Sequence, residues 1–310
     1  MTAPHLYKEP FFLMGNQFEI SVVSTEKKWA QHCIKLAVGE IKRIEALLTT
    51  FNDCSETNKI NQNAGISPVN VSDETFQLIE RAQKISAITQ GAFDLSYGSV
   101  DKKLWNFDTT MKRLPDPQVA LERVRLINYQ NIVLDKLSKT VFLKEKGMRI
   151  GFGGIGKGYA ADRAKQVLQE MGVAHGVVNA SGDLNAWGMQ PDGTPWTIGI
   201  ADPNLSGQVF SLMKITGLAV ATSGNYEKYV MIGGKKYSHT IDPKSGMPVH
   251  GIKSVTIITK HAELADAMAT PVTIMGVKAG LYMINQINDI EAIIIDDDNK
   301  VHCSKNIHIN

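Results

Sequence analysis

The most informative segment of the 310-residue sequence is Gly151-Phe-Gly-Gly-Ile-Gly-Lys-Gly158, in which glycine fills five of eight positions. It follows a run predicted as a strand, 148–152, and precedes a predicted helix that ends at Gly172. Glycines here allow backbone N–H groups to approach an anion, and a helix N-terminus adds positive potential. The segment therefore predicts either a phosphate site, to which Lys157 adds charge, or a tight turn that allows close helix–sheet packing.

Two phosphate-binding patterns match this segment in part. It satisfies G-x-G-x-x-G between a strand and a helix, but the dinucleotide fold also needs an acidic residue about twenty residues later. The nearest candidate, Asp183, lies further on, in a Ser-Gly-Asp turn. Residues 151–157 also match the start of a P-loop, which needs Ser or Thr next, whereas position 158 is glycine. Both patterns are disfavoured, and phosphate binding as such stays open.

Strand patterns dominate the chain after its first third. Helical spacing of apolar residues predicts helices after Ser24, over about 72–91 and 117–127, after the glycine segment, and over 262–270. Because strands outnumber the helices between them, a regular alternation of strand and helix fits poorly. The pattern predicts an α+β fold with a largely antiparallel sheet flanked by helices. The predicted strands are 18–23, 132–134, 140–143, 148–152, 176–179, 196–201, 209–215, 229–232, 254–259 and 292–295.

Composition excludes several classes of protein. Hydrophobic residues make up 43% and charged residues 21%, which is typical of a globular chain and not of disorder. A net charge of +2 gives no electrostatic case for nucleic acid. The three cysteines, Cys33, Cys54 and Cys303, have no metal-ligand spacing and are interpreted as free thiols. No stretch of the sequence predicts a membrane span.

The first ten residues lack the apolar core of a signal peptide. As the sequence stands, we expect a cytoplasmic protein. A chain that had lost its leader would look the same, and would be periplasmic or part of the cell envelope.

A carboxylate and a hydroxyl lie four residues apart in the small-residue helix predicted at 262–270. Asp266 and Thr270 therefore face the same way, and their oxygens suit a hard cation such as Mg²⁺. Alternatively, Thr270 bonds the carbonyl of Asp266 while the carboxylate faces water. Pro271 removes one helical hydrogen bond and predicts an irregular helix end.

A third signal is the polar segment Ser238-His-Thr-Ile-Asp-Pro-Lys-Ser-Gly246, which follows a predicted strand. His239 could accept a proton from a hydroxyl group, or could be a structural histidine that bonds its own turn. A fourth signal is the hydroxyl-rich strand end 219–226, which includes Thr222. Such hydroxyls bind phosphate or ribose in some proteins and bond their own backbone in others.

Taken together, these segments resemble the ApbE family of FAD:protein FMN transferases, in the family's order along nearly the whole chain. The resemblance implies a single domain over residues 1–310, with a T-fold-like α+β core. The matching segments are Met14-Gly15, Arg43-Ile-Glu-Ala-Leu-Leu48, Ser55-Glu56 with Asn61, Gly91-Ala-Phe-Asp94, Gly153–Ala160 with Asp162-Arg163, Asn179–Leu184, Ala221-Thr-Ser-Gly224, His239–Gly246 and Ala265–Thr270.

The resemblance also implies a set of site residues. Asp266 and Thr270 would bind Mg²⁺ at the pyrophosphate of FAD, together with a backbone carbonyl that we place at Gly154. His239 matches the family's catalytic histidine, and Lys157 would lie near the phosphates. The positions where the family contacts flavin or adenosine are Met14, Phe51, Asp183 and Thr222.

The sequence departs from the family's pattern at three positions. Asn16 stands where Thr usually follows Met-Gly, Ser181 stands before the second glycine of the usual Gly-Gly-Asp, and 98–100 reads Gly-Ser-Val where Gly-Pro-Leu is usual. The expected metal and histidine positions are intact. These departures bear on how FAD is held more than on the chemistry.

The implied reaction moves FMN from FAD to a Thr or Ser hydroxyl of an acceptor flavoprotein and releases AMP. One alternative is an FAD pyrophosphatase, which would use water at the same site and give FMN and AMP. A second alternative is a protein that binds FAD without turnover. Intact His239, Asp266 and Thr270 disfavour the second, and nothing in the sequence separates transfer from hydrolysis.

Overall fold

The computed structural model describes residues 3–100, 111–201, 209–224 and 229–307. Their strands are β1 (His5–Leu13), β2 (Asn16–Ser24), β3 (Val69–Asn70), β4 (Ile132–Asp135), β5 (Thr140–Leu143), β6 (Gly176–Ala180), β7 (Asp183–Trp187), β8 (Trp196–Ala201), β9 (Val209–Ile215), β10 (Leu218–Gly224), β11 (Tyr229–Ile232), β12 (Lys235–Ser238), β13 (Ile252–Thr259), β14 (Ile290–Asp296) and β15 (Val301–Cys303). Their α-helices are α1 (Lys27–Leu48), α2 (Glu56–Gln62), α3 (Asp73–Ile88), α4 (Pro117–Arg123), α5 (Gly156–Glu170) and α6 (Ala262–Ile284).

The main sheet has eight strands in the order β1-β2-β6-β7-β10-β13-β14-β15. Each neighbouring pair in this sheet is antiparallel. Three smaller sheets accompany it, namely β3-β5-β4 and the two-stranded ribbons β8–β9 and β11–β12. The prediction of an α+β fold with a largely antiparallel sheet flanked by helices is confirmed.

The two faces of the main sheet carry different layers. Helices α1, α5 and α6 pack on one face, and their apolar sides join the largest core cluster with Phe18 and Ile257. The ribbon β8–β9 covers the other face, where Trp196 and Ile200 pack against Val220. Successive side chains of a strand point to opposite faces of the sheet, so one strand contributes residues to both layers. The candidate site lies where both layers meet the ends of β7 and β10.

The predicted helix boundaries agree with the structure at some positions and differ at others. Ser72 caps α3 by accepting the Thr75 N–H, and Asp116 caps α4, whose first residue is Pro117. Helix α1 starts at Lys27 after Glu26, which makes no side-chain cap, so the predicted cap at 24–25 is wrong. Helix α4 also ends at Arg123, four residues before the predicted end.

Residues 148–152 are predicted as a strand and do not form one. Ile150 is fully buried, which accounts for the apolar pattern. Its backbone N–H donates to Asn61 Oδ1 at 2.7 Å, and its carbonyl accepts from Asn61 Nδ2 at 3.0 Å. One amide side chain therefore supplies the hydrogen bonds that a neighbouring strand would otherwise supply.

Helix α6 does not end at Pro271, contrary to the expectation of an irregular end there. It passes Pro271 and is interrupted by a kink at Gly276, whose φ of 81° is not helical, and a second helical segment then runs to Ile284. Within the described residues, α6 is the one helix whose 23-residue length and mean hydropathy of 1.3 would suit a membrane span. It packs against α5, β10 and β13, and half of its most apolar window is buried, so packing accounts for its composition. The absence of a membrane span stays a prediction.

Candidate functional site

A cleft of about 570 Å³ lies at the start of β7 and the end of β10, beside the N-terminus of α5 and the first half of α6. Its volume is typical of a small-molecule or cofactor site. The ribbon strand β8 forms a further wall. Seven of the nine predicted site residues line this one cleft, namely Gly154, Lys157, Asp183, Thr222, His239, Asp266 and Thr270.

Charged groups form the floor of the cleft. Lys157 Nζ lies 2.7 Å from Asp183 Oδ2 and 3.4 Å from Asp266 Oδ1. Burial works against the charge of Lys157, but the two carboxylates outweigh it and raise the pKa of the ammonium group. With both carboxylates ionised, the three side chains sum to one negative charge. The floor therefore suits an additional cation.

Asp183 is the more deeply enclosed carboxylate of the floor, with 5% of its surface exposed. It is the first residue of β7, and it accepts the backbone N–H of Thr222 on the neighbouring strand β10. Burial and the negative charge of Asp266 raise the pKa of Asp183 to about 7, although Lys157 opposes the shift. The Thr222 Oγ1 lies 3.0 Å from Thr256 Oγ1 on β13.

The glycine segment supplies the start of α5 and one side of the cleft. Gly158 is the third residue of α5, so its N–H has no partner within the helix, and it donates instead to Asp266 Oδ2 at 3.0 Å. Among the described residues, no backbone hydrogen bond outside the helices and strands ends at the carbonyl of Gly154. A Cβ atom at Gly158 would lie 2.1 Å from the Ala262 carbonyl oxygen, so only glycine fits between α5 and α6. The glycines thus serve helix packing as well as the cleft.

The residues present fit a hard cation. In the described part of the chain, Thr270 Oγ1 makes no hydrogen bond to the protein, so the alternative in which it bonds the Asp266 carbonyl is absent; Thr273 makes such a bond, to Ala269. No described group of three or more His, Cys, Asp or Glu side chains could hold a metal ion. A metal here would therefore rest on one carboxylate, one hydroxyl and a backbone carbonyl, which is an oxygen set that Mg²⁺ accepts.

His239 follows β12, is exposed, and lines the same cleft. The turn behind it is firmly held: Asp242 accepts from the Lys244 N–H at 3.0 Å and from Ser245 Oγ at 2.7 Å. Tyr97 Oη accepts the Ile241 N–H at 3.2 Å. The structure therefore presents the imidazole on a fixed turn, facing the same cavity as the charged floor.

Two predicted contacts lie outside the lining of the cleft. Met14 occupies the β1–β2 turn with φ of 52°, and its N–H donates to Glu45 Oε1 at 2.6 Å. Its side chain approaches Gly156 at the start of α5. Phe51, in the loop after α1, is 98% exposed. Contact of Met14 and Phe51 with flavin or adenosine stays a prediction.

Other residues line the cleft that sequence reasoning did not assign to it. Asn16 and Asn179 contribute amide groups, Ser223 a hydroxyl group, and residues 197–200 of β8 a strand surface. Asn16 stands out in the sequence only as a departure from the family's Met-Gly-Thr. The strand β8 carries no motif, because its place over the cleft depends on how the ribbon packs on the main sheet.

Comparison with known proteins places this architecture in a family. The ApbE family model matches residues 14–294. The chain is 33% identical over 297 residues to an FAD:protein FMN transferase of Klebsiella pneumoniae, covering 95% of this chain and 90% of that protein. A second such transferase, from Treponema pallidum, is 29% identical over 282 residues and is covered over 78% of its length.

Two crystal structures are similar over almost the whole fold. The ApbE protein of Thermotoga maritima has a TM-score of 0.86 at 30% identity, with 97% of both chains covered. The apo form of the Pseudomonas stutzeri flavinyl transferase ApbE has a TM-score of 0.84 at 26% identity, covering 98% of this chain and 96% of that one. The order of the sequence segments, the antiparallel sheet with its three-helix layer and these matches agree, and the chain belongs to the ApbE family.

Proposed function

We propose that this protein is an FAD:protein FMN transferase that uses Mg²⁺, attaches FMN to a Thr or Ser hydroxyl of an acceptor flavoprotein, and releases AMP. The observation that carries the proposal is the cleft itself. It brings a charged floor of Lys157, Asp183 and Asp266 and an exposed histidine, His239, into one cavity. Relatives named FAD:protein FMN transferases support the choice of donor and product.

The chemistry is displacement at phosphorus. The acceptor hydroxyl oxygen forms a bond to the phosphorus on the FMN side of the anhydride, and the bond from that phosphorus to the bridging oxygen breaks. AMP leaves with the electron pair, and the hydroxyl proton passes to His239. Such reactions depend mainly on positioning and on neutralising charge.

The residues of the floor supply that neutralisation. The Lys157 ammonium group, held between two carboxylates, faces the space where the pyrophosphate would lie. Asp266, Thr270 and the Gly154 carbonyl would hold Mg²⁺, which when bound stabilises negative charge on the pyrophosphate oxygens. Because Asp266 already accepts the Gly158 N–H, the carboxylate is oriented before any ligand arrives.

The position of His239 favours a role with the nucleophile. The His239 side chain is exposed, although its neighbours Ser238 and Thr240 are buried, whereas the phosphate-handling groups belong to the buried floor. An acceptor that is itself a protein must approach from the open side. A base on that side contributes roughly 10² to 10⁴ to the rate.

The direct test is incubation of the purified protein with FAD, Mg²⁺ and a candidate acceptor flavoprotein. Mass spectrometry should show the acceptor heavier by one FMN moiety, with one AMP released for each. Free FMN and AMP with an unmodified acceptor would indicate the pyrophosphatase. Bound but unchanged FAD would indicate a protein that only binds the flavin.

A further inference from the structure

Asp162, which lies outside the cleft, joins all three elements that carry the charged floor. It belongs to α5, one turn after Gly158. Its Oδ1 accepts the Ala262 N–H at 2.9 Å, and its Oδ2 accepts the Glu263 N–H at 3.0 Å, both in the first turn of α6. The Asn185 Nδ2 on β7 donates to the same Oδ1 at 2.6 Å.

Helix α6 takes its N-terminal cap from another helix. Its own N-cap residue, His261, makes no side-chain cap, whereas Ser55, Ser72 and Asp116 cap their own helices. The carboxylate of Asp162 takes the place of that cap: it satisfies two otherwise unpaired N–H groups and faces the positive end of the helix dipole. The start of α6 is therefore fixed to α5 and not only to its own sequence.

Two contacts, one helical turn apart, align α5 with α6. Gly158 contacts Asp266, and Asp162, four residues later on α5, contacts Ala262, four residues earlier on α6. The two helices are therefore antiparallel where they meet. The close approach at Gly158 leaves no room for a Cβ atom, so a shift of α6 along α5 would disturb both contacts together. The position of Asp266 thus depends on the bond made at Asp162.

The same carboxylate reaches the strand that carries Asp183. Asn185 is two residues after Asp183 on β7, so both side chains point to the same face of the sheet. Asn185 is 1% exposed, and its Oδ1 accepts from Lys165 Nζ at 2.9 Å, which fixes the amide orientation. Asp162 therefore links Lys157 on α5, Asp266 and Thr270 on α6, and Asp183 on β7.

We infer that Asp162 is a positioning residue that sets the distance between the cation ligands on α6 and the charged groups on α5 and β7. This inference rests on the proposed function for the identity of the cation, and it assigns no contact between Asp162 and substrate. Groups that orient metal ligands in this way typically change metal affinity or activity by roughly 10- to 100-fold when they are replaced.

The experiment measures binding of Mn²⁺ alone, by electron paramagnetic resonance of the free ion, without FAD or acceptor. Asp162→Asn keeps the shape but places an NH₂ group where a carboxylate oxygen accepts now, so at least one of the three bonds is lost. We expect Mn²⁺ to bind at least roughly 10-fold more weakly. FAD binding without metal should stay close to that of the wild type.

The matched control is Glu263→Ala, on the same turn of α6. It removes the ion pair in which Arg81 Nε and Nη2 lie 2.6 and 2.9 Å from the Glu263 carboxylate, but it keeps the backbone N–H that Asp162 binds. Mn²⁺ affinity should stay within about two-fold, because neither Arg81 nor Glu263 lines the cleft and the Glu263 side chain makes none of the bonds to Asp162. If both variants weakened Mn²⁺ binding equally, Asp162 would serve only general stability, and the inference would be overturned.

A milder variant covers the case in which Asp162→Asn does not fold. Asn185→Ala removes one of the three bonds to Asp162 and should weaken Mn²⁺ binding in the same direction by a smaller factor. A folded Asn185→Ala or Asp162→Asn protein with unchanged Mn²⁺ affinity would refute the inference while the wild type still transfers FMN. A wild type that neither binds Mn²⁺ nor transfers FMN would remove the proposed function as well.

Discussion

The two sides of the cleft are built differently. The donor wall, which consists of Lys157, Asp183, Asp266 and Thr270 with the glycine segment, sits on the main sheet and its helices, and its carboxylates are 5% and 7% exposed. The histidine wall consists of His239, which is exposed and follows the ribbon β11–β12 outside the main sheet.

The difference matches two tasks in the proposed reaction. The charged pyrophosphate of the donor needs groups whose positions do not change when it binds, and burial on rigid elements supplies them. A protein acceptor must reach the nucleophile side and leave again, so the base has to be exposed. If this division is right, changes to the donor wall should alter metal and FAD binding, whereas changes to the histidine wall should alter turnover.

The largest effect is expected at Asp266. Asp266→Ala removes the carboxylate proposed for Mg²⁺ and the acceptor of the Gly158 N–H. FMN transfer should fall at least roughly 10³-fold, and chelation of the wild type by EDTA should have the same effect. Circular dichroism would check that the variant is folded. Full activity at ordinary Mg²⁺ concentrations would mean that the metal lies elsewhere.

The second test addresses the histidine wall. A group that only accepts a proton acts in the transition state, so His239→Ala should transfer FMN at least roughly 10²-fold more slowly while FAD affinity stays within a few-fold. Single-turnover rates and flavin-fluorescence titration measure the two quantities separately. Lost FAD binding with normal turnover at saturation would make His239 a donor contact and would break the division between the walls.

The third test addresses the packing behind the donor wall. Gly158→Ala would place a Cβ atom 2.1 Å from the Ala262 carbonyl oxygen, and Gly39, exposed in α1, has nothing within 4 Å of its Cβ position. We expect Gly158→Ala to lower the free energy of unfolding by about 3 kcal/mol and to reduce metal binding. The matched Gly39→Ala should raise it by about 0.5–1 kcal/mol. Urea denaturation measures the free energy of unfolding of both variants. A similar change in the two would show that α5 and α6 can move apart to admit the Cβ atom.

The fourth test concerns a charge network on the helices, away from the lining of the cleft. Hydrogen bonds from Arg43 lower the pKa of both Glu40 and Glu74. Their folded-state pKa values lie below the ordinary 4.5, so their stabilising contribution is present above that pH and is lost as pH falls through the lowered values. Arg43→Met should therefore reduce the loss of stability in acid, with a change at pH 7 of about 1 kcal/mol or less. FMN transfer at pH 7 should not change; a fall would connect the network to the cleft.

The sequence predicted the local parts of this arrangement and missed the tertiary ones. Asp266 and Thr270 are four residues apart on a helix, so helical periodicity alone places both on one face. The pairing of Lys157 with Asp183 depends on which strand of the sheet lies beside α5, and no local pattern contains that information. For the same reason the contact of Asp162 with Ala262, 100 residues later, could not be predicted from the sequence.

The errors of secondary structure have the same origin. Burial made 148–152 look like a strand, but Asn61, far away in the chain, satisfies the backbone there and removes the need for a neighbouring strand. Pro271 suggested a helix end, yet α6 continues past Pro271 as far as the kink at Gly276, because α5, β10 and β13 pack against it. In both places tertiary packing overrides the local preference.

The smallest expected effect is at Ser181, in the turn between β6 and β7 just before Asp183. Ser181 has φ of 57° and Gly182 has φ of 100°, and a two-residue hairpin turn with both values positive favours glycine or asparagine at each position. Ser181→Gly relieves that strain, and the larger entropy of glycine in the unfolded chain offsets part of the gain. The net increase in the free energy of unfolding should be a few tenths to about 1 kcal/mol.

Ser181→Ala is the matched control, because it keeps the Cβ atom and removes only the hydroxyl group. If only Ser181→Gly is stabilising and FAD affinity is unchanged in both variants, the residue affects backbone strain at this turn and its hydroxyl group does not contribute to FAD binding. Weaker FAD binding in both variants would instead assign the hydroxyl group to the donor.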